Sequence, residues 1–397
     1  MKLTILTQYY KPEMGAPQNR LFEMCLGLKN CGADVSVITG IPNYPTGNKF
    51  KEYRGHFRMK ERLDGIEVMR YWLYASNSRK AIPRILSMFS FSLTTLCAFA
   101  YLLKRKNDFI IVESPPLTLG LTGYILSRLT GTKLVMNISD LWPLSAKEMG
   151  VINGNGIIYK LLAKLEHFLY VKSIFCMGQS QEIIDYIKEH GAKDVYLFRN
   201  GVDPDRFSNV KNKSACGNPL KIVYAGLLGF AQGVIYICQA INFKKLNVEF
   251  HIYGAGGGQQ YIEDFLINNP DTGVYYHGKI SREKIPQALA LADCTLIPLR
   301  QPIFGAVPSK IYESMAAGLP ILFSGEGEGE RIIKKYQLGL TSPSQDYAAL
   351  EQNIKQLAAS PDLWATFSNN CRYCASTKFN RPAQVKALYD FLATKIS

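Results

Sequence analysis

Lys221-Ile-Val-Tyr-Ala-Gly-Leu-Leu-Gly-Phe-Ala-Gln-Gly233 opens as a β-branched run, breaks into three glycines and leads into a helical pattern. A strand that delivers into a glycine turn and then a helix is the repeating unit of a doubly wound parallel sheet. The glycines let a diphosphate approach the backbone at a helix start, where free N–H groups favour anions. Working outward, the same alternation recurs along the chain. Val248–Tyr253, Val274–His277, Cys294–Ile297 and Pro320–Phe323 continue this series toward the C-terminus. Leu3–Thr7, Val35–Thr39, Gly65–Tyr71, Phe109–Val112, Leu134–Ile138 and Ile174–Met177 make an earlier one. Two series of strands alternating with helices predict an α/β chain of two doubly wound domains, which suits 397 residues.

The boundaries expected from this pattern are an N-terminal domain over 1–200, a linker over 201–219 and a C-terminal domain over 220–378. A last helix, 379–397, is expected to return to the first domain. The polar run Ser208–Pro219 has no periodic signal and marks the linker.

Composition narrows the function classes. With 47% hydrophobic and 20% charged residues the chain can bury large cores. Nine scattered cysteines, and a first strand that begins within the opening residues, suggest a reduced cytoplasmic protein. Cys371-Arg-Tyr-Cys374 has no second pair or histidine cluster to complete a zinc site. The 46 Lys+Arg against 32 Asp+Glu give +14, which suits a polyanionic partner. Ten basic and four acidic residues fall between Lys49 and Arg84, and Lys104-Arg105-Lys106 follow. Between them lies Ile85–Leu103, nineteen uncharged residues, long enough to cross a bilayer. The flanking strands Gly65–Tyr71 and Phe109–Val112 must share one sheet, so the stretch is expected to be a buried helix, either an ordinary one or one whose basic flanks also touch a membrane.

Ligands of open α/β sheets bind at the carboxyl ends of strands. The loop Thr7–Arg20 there carries Tyr9, Tyr10, Gly15, Gln18, Asn19 and Arg20, a polar set that favours a ligand over a bland connection. In the second half, Gly226, Gly229 and the glycine run from Gly254 hold the equivalent place; such runs are also ordinary turns. The most informative segment is Phe304-Gly-Ala-Val-Pro-Ser-Lys-Ile-Tyr-Glu-Ser-Met-Ala-Ala-Gly-Leu-Pro-Ile321. Ser309 and Lys310 begin a helix, where a hydroxyl and an ammonium can meet phosphate oxygens. Glu313 lies one turn on, an acceptor for sugar or ribose hydroxyls. The same Pro-Ser start and Gly318 end also make good capping chemistry.

This segment resembles the signature of the glycosyltransferase family 4 retaining enzymes. Asn200-Gly-Val-Asp203 and Gly178-Gln-Ser180 are similar to further motifs of that family. Asn43-Tyr-Pro-Thr-Gly47, Glu113-Ser-Pro-Pro116, Asp140-Leu-Trp-Pro143 and Ala231-Gln-Gly233 resemble its fucosamine-type branch in surface-polysaccharide assembly. The resemblance implies a GT-B fold, two Rossmann-like domains facing a central cleft. It implies a donor site of Gly15, Gly226, Gly229, Gln232, Gly254, Ile280, Ser309, Lys310 and Glu313, with Glu313 on the ribose. It implies acceptor contacts from Tyr10, Asn19, Arg20, Asn43 and Asp140, and catalytic roles for Asp140, Lys310 and Glu313. The chain departs from the family at Gly305, where the first Glu of an E-x₇-E pair belongs. Leu227 and Gln232 stand in two usually basic places, Ser139 replaces a histidine and Leu144 a glutamate.

The expected activity is retaining transfer of a sugar, an N-acetylated deoxy-amino sugar, from a nucleotide donor with uridine as the base. The expected acceptor is a polyprenyl-diphosphate-linked saccharide at the inner face of the plasma membrane, an anionic surface to which the protein binds peripherally. No Asp-x-Asp has metal-ligand character, so neither a metal nor a cofactor is expected. A nicotinamide oxidoreductase would need G-x-G-x-x-G after the first strand, where a fourteen-residue loop stands instead. No recognised nucleic-acid-binding module appears. A non-catalytic nucleotide-sugar-binding or scaffold relative remains the alternative.

Overall fold

A computed structural model describes residues 1–78, 81–148, 150–210, 216–301 and 304–396. The chain divides into two compact units, 1–199 with 382–397, and 200–381.

The N-terminal unit runs β1 (Lys2–Leu6), α1 (Ala16–Asn30), β2 (Asp34–Gly40), β3 (Arg58–Leu63), β4 (Ile66–Tyr71), α2 (Ala81–Thr95) and α3 (Phe99–Arg105). It continues through β5 (Phe109–Ser114), α4 (Leu117–Thr130), β6 (Lys133–Ile138), α5 (Leu144–Glu148), α6 (Ile157–Lys172), β7 (Phe175–Gly178), α7 (Gln181–Glu189) and β8 (Val195–Leu197). Its sheet has the order β3-β4-β2-β1-β5-β6-β7-β8, parallel throughout except for β3. Strand order therefore reverses between β1 and β5, placing the loops after these strands at the topological switch point. The strands are apolar on both faces, as a sheet covered on both sides requires. Leu6, Ile38, Ile110 and Val112 face one core, while Leu3, Ile5, Val37 and Ile111 face the other.

The C-terminal unit runs β9 (Leu220–Ala225), α8 (Val234–Ala240), β10 (Val248–Tyr253), α9 (Gln259–Asn268), β11 (Val274–Tyr276), α10 (Ile285–Ala290) and β12 (Cys294–Pro298). Then come α11 (Lys310–Ala317), β13 (Ile321–Ser324), α12 (Glu328–Tyr336), β14 (Gly339–Ser342), α13 (Tyr347–Ala359) and α14 (Pro361–Ser376). The sheet is parallel in the order β11-β10-β9-β12-β13-β14. Its switch point lies between β9 and β12, which singles out the loops 226–233 and 299–309.

The final helix, α15 (Arg381–Thr394), lies almost wholly within the first unit. Val385 packs so closely on α1 that a Cβ at Gly27 would stand 2.7 Å from its Cγ1. Phe391 sits on Phe175 and Tyr196, and Lys395 pairs with Asp194 at 2.7 Å.

Three features differ from the sequence reading. The segment expected as a linker over 201–219 falls within the second unit, because Val202 and Phe207 are buried in its core. Strands β3, β8 and β14 were not expected. β3 reads Arg-Met-Lys-Glu-Arg-Leu, an edge strand with no fully buried residue, and the other two are short. Arg79 and Lys80, two of the basic residues before the apolar stretch, lie outside the described residues.

Candidate functional site

In the C-terminal unit β9 ends at Ala225 and the chain turns at Gly226 directly onto the start of α11. A Cβ on Gly226 would stand 2.2 Å from Lys310 Cε and 2.6 Å from Nζ, so the ammonium occupies the space that any other residue's side chain would fill. The same ammonium lies 5.2 Å from the Tyr224 ring centroid. Burial pushes the Lys310 ammonium below its ordinary pKa, and the nearby Glu313 carboxylate works against that shift. Lys310 and Glu313 line one recess together with Thr295, Ser314, Ile285 and Leu289. Thr295 Oγ1 is buried there without a hydrogen-bond partner. Ser309 occupies the N-cap position of α11 but makes no side-chain cap bond, so its exposed hydroxyl is not held by the helix. The expected group Gly226, Ser309, Lys310 and Glu313 is therefore brought together.

The other donor-side residues shape loops. Gly254 approaches Gly226 so closely that a Cβ would stand 1.9 Å from the Gly226 carbonyl oxygen. Gly254 N–H donates to Gly278 O (2.8 Å), which ties it to the loop carrying Ile280. Gly226 N–H donates to Tyr253 O and Leu228 N–H to Ala255 O. These N–H groups serve the packing of two loops rather than an open anion cradle. Gln232 Oε1 accepts from Gly229 N–H at 3.1 Å, closing the loop on itself. One cation not foreseen lies beside it. Arg300, just past β12, has its guanidinium 4.3 Å over the Tyr236 ring, bonds Gln345 and lines a recess with Gln232 and Gly233. Its place at the carboxyl end of a switch-point strand was the available signal.

In the N-terminal unit the expected acceptor residues separate into two kinds. Tyr10 is fully buried against Phe22, and Asn43 is buried with its amide on Ile41 O (3.0 Å). Both are held by Glu13, whose carboxylate accepts from the backbone N–H groups of Tyr10, Asn43 and Tyr44 at 3.1, 2.8 and 2.8 Å. Burial raises the Glu13 carboxyl to about 7, against the pull of those three donors. Arg20 is likewise committed. It pairs with Glu113 at 2.6 Å and donates to Gln179 Oε1 at 2.7 Å, with only 5% of its surface exposed. Asn137 Nδ2 and Ser139 Oγ also donate to Glu113, each at 2.5 Å. Tyr10, Asn43 and Arg20 thus brace the switch-point loops, and a buried charge demands such partners. Ser139, which stands where the family has histidine, belongs to this brace.

Gly15, Asn19 and Asp140 are the partly exposed members of the set. Gly15 caps α1, and a Cβ there would meet Gln18 Oε1 at 2.3 Å. That oxygen is buried without a partner, ready for a hydroxyl or N–H donor arriving at the loop. Burial raises the Asp140 carboxyl, while Ser145 and the Leu141 N–H hold it down. Among the described residues no group of three or more His, Cys, Asp or Glu is placed to hold a metal ion. The nine cysteines are free, and Cys371 is a buried core residue whose thiol points at Leu319 O (3.3 Å).

Comparison with known proteins agrees with this division. Residues 15–201 match the family described as Glycosyl transferase 4-like domain, and residues 219–360 match Glycosyl transferases group 1. The chain is 25% identical to WcaI of Escherichia coli K12, named as a colanic acid biosynthesis glycosyl transferase, over 83% of this chain and 84% of that protein. It is 26% identical to WbjE of Pseudomonas aeruginosa, named as a glycosyltransferase, over 64% of this chain, and spans 66% of that relative's length. Among solved structures, HepE of Anabaena in complex with UDP superposes with a TM-score of 0.73 at 15% identity, over 99% of this chain and 100% of that one.

Proposed function

We propose that this chain, matched by a glycosyl transferase 4-like domain over residues 15–201 and by glycosyl transferases group 1 over 219–360 and folded as GT-B, transfers a sugar from a nucleoside diphosphate in bacterial polysaccharide assembly. The observation that carries this reading is the Gly226–Lys310–Glu313 arrangement at the switch point of the second sheet. Breaking a glycosyl–phosphate bond leaves positive charge on the sugar and negative charge on the departing diphosphate. A preorganised, partly desolvated ammonium at that diphosphate lowers the barrier. Lys310 takes this role, and Glu313 accepts ribose hydroxyls. The acceptor hydroxyl attacks from the leaving-group face, its proton passes to a diphosphate oxygen, and configuration is retained. Asp140 orients that acceptor.

UDP is the proposed product nucleotide, in keeping with the UDP held by HepE. The sugar is an N-acetylated deoxy-amino sugar, as the fucosamine-type motifs suggest. The acceptor is a saccharide, in keeping with the name of WcaI, and its carrier is a polyprenyl diphosphate, as the resemblance to surface-polysaccharide enzymes implies. Calorimetric titration with UDP and GDP tests the donor, and UDP binding that weakens in Lys310→Ala is expected. Binding of neither nucleotide at millimolar concentration would remove the reading. Donor hydrolysis, unaffected by EDTA, then separates an enzyme from a binding relative. That second reading is favoured by Leu227 and Gln232 standing in the basic places, and absence of any hydrolysis or transfer would select it.

A further inference from the structure

The continuous helical segment Ile82–Arg105 is apolar on its outer face as well as on its inner one. It is the only helix among the described residues long and apolar enough to cross a membrane, yet only 33% of its apolar 18-residue window is buried in the protein. Its core-facing stripe includes Ser87, Ser92 and Thr95 beside Phe91, Ala98 and Leu102. The hydroxyls are satisfied internally, Ser87 by Gln8 Nε2 (3.2 Å), Ser92 by Thr118 (2.8 Å) and Thr95 by Phe91 O (2.8 Å). Its outer stripe is Ile82, Leu86, Phe89 and Leu93, exposed by 72, 50, 58 and 69%. A helix at a water-exposed surface is polar on that outer face.

The neighbours extend this face. α4 packs between α2 and α6 on the same side of the sheet. It exposes Leu121, Ile125 and Leu129 at four-residue spacing, and α6 exposes Ile158 and Leu161. Apolar side chains scattered singly over a surface need no explanation, but a contiguous set on three adjoining helices does. The exposed charges on these helices have one sign. No Asp or Glu occurs between Glu67 and Asp108, and Arg84, Lys104, Arg128, Lys160 and Lys164 are exposed along these helices. The single acid on α2, α3, α4 and α6, Glu166, is buried and accepts from Tyr170 and Tyr186.

We propose that the outer faces of α2, α4 and α6 lie in the headgroup–acyl boundary of an anionic phospholipid bilayer, with the apolar side chains inserted and the Lys and Arg heads at the phosphates. The protein lies on the membrane and does not cross it. Phe91, Ala98 and Leu102 belong to the core beneath the sheet, and a crossing would remove them from it. This moves the membrane contact from the basic flanks, as the sequence suggested, to the apolar plate itself. The plate also adjoins the first switch-point loop, because Gln8 bonds Ser87 and Arg84 lies close enough to Tyr9 to act on its phenol. The inference deepens the proposed function by naming the surface that holds a lipid-linked acceptor. Its test uses no sugar donor, so its failure and that of the transferase reading are read separately.

The test is sedimentation of the full chain with vesicles of phosphatidylethanolamine and phosphatidylglycerol, and with neutral phosphatidylcholine vesicles. Binding to the anionic vesicles is expected, with more than half retained in about 1 M NaCl, where surface charge is screened within a few ångströms. Phe89→Ser/Leu93→Ser should lower the partition coefficient at least about tenfold, and Leu121→Ser/Ile125→Ser should do the same from the neighbouring helix. Phe89→Ser/Leu93→Ser changes two largely exposed residues, so an unchanged melting temperature is expected for it. Arg84→Ser/Lys104→Ser should weaken binding at low salt and not at high salt. Complete reversal of binding by salt would overturn the proposal, leaving the basic residues alone responsible. So would serine variants that bind like the native chain, absence of binding to either vesicle, or a dimer abolished by Phe89→Ser/Leu93→Ser in protein that ignores lipid.

Discussion

Gly226→Ala is a single added methyl, and the structure says where it goes. It would stand 2.2 Å from Lys310 Cε and 2.6 Å from Nζ. Carbon atoms settle at about 3.5–4.0 Å, so the lysine must withdraw by roughly 1.5 Å. Displacing a catalytic group by about 1 Å costs on the order of a hundredfold in rate, and a loss of that size in kcat is expected. The fold should survive, because the obstructing atoms are the far end of a flexible side chain. The backbone at Gly226, with φ of 156°, adds strain of about 1 kcal/mol, a fall of roughly 2–4 °C in melting temperature. The assay is turnover of the nucleotide sugar, run beside a UDP titration and a thermal melt. Lys310→Ala should lose a similar amount, and the double variant should be no worse than Lys310→Ala alone. Activity within about twofold of native in Gly226→Ala would refute the placement of Lys310 as the working cation. Additive losses in the double variant would refute it too, since the two residues would then act separately.

Glu313→Gln should weaken UDP binding about tenfold or more while the melting temperature stays within a degree or two. Lower stability with unchanged UDP affinity would make Glu313 a helix residue only. Arg20→Ala leaves Glu113 charged and buried, and should cost about 3–5 kcal/mol in a urea titration. A loss below about 1 kcal/mol would show that the pair is not the brace described. Burial raises Glu13 and Glu166 from 4.5 to about 7. The folded chain then binds more protons than the unfolded one between those values, so stability is greatest below pH 4.5 for these groups and falls as pH rises to about 7. Each contributes up to about 3 kcal/mol to that fall, and Glu13→Gln should flatten its share. A slope unchanged in Glu13→Gln would mean that its carboxylate is charged and comfortable where it lies.

Several levels of this protein were legible in the linear chain, for one physical reason. Strands of a doubly covered sheet are short β-branched runs, helices repeat at 3.6 residues, and both signals are local. β10 was bounded to the residue at Val248–Tyr253, and most other core strands to within one or two. The Ser309–Lys310–Glu313 group was legible too, because its spacing is set by a single turn of α11. Charged or short edge strands such as β3 were not, since their stability comes from one neighbour and leaves no apolar alternation.

What only the tertiary structure decided are contacts between residues far apart in the chain. Arg20 and Glu113 are 93 residues apart, Glu13 and Asn43 thirty, yet each pair is joined in a buried site. Polar residues in a loop look alike whether they face a ligand or brace the loop from within, so Tyr10, Asn43 and Arg20 read as acceptor contacts. Likewise the apolar stretch Ile85–Leu103 showed in the sequence that it is apolar, and not which of its faces is covered. Which of its faces meets the core depends on α4 and the sheet, and those placed Ser87, Phe91, Ser92 and Thr95 inside and Leu86, Phe89 and Leu93 out. Hydrophobicity is a property of residues, whereas the direction in which they point is a property of the packing.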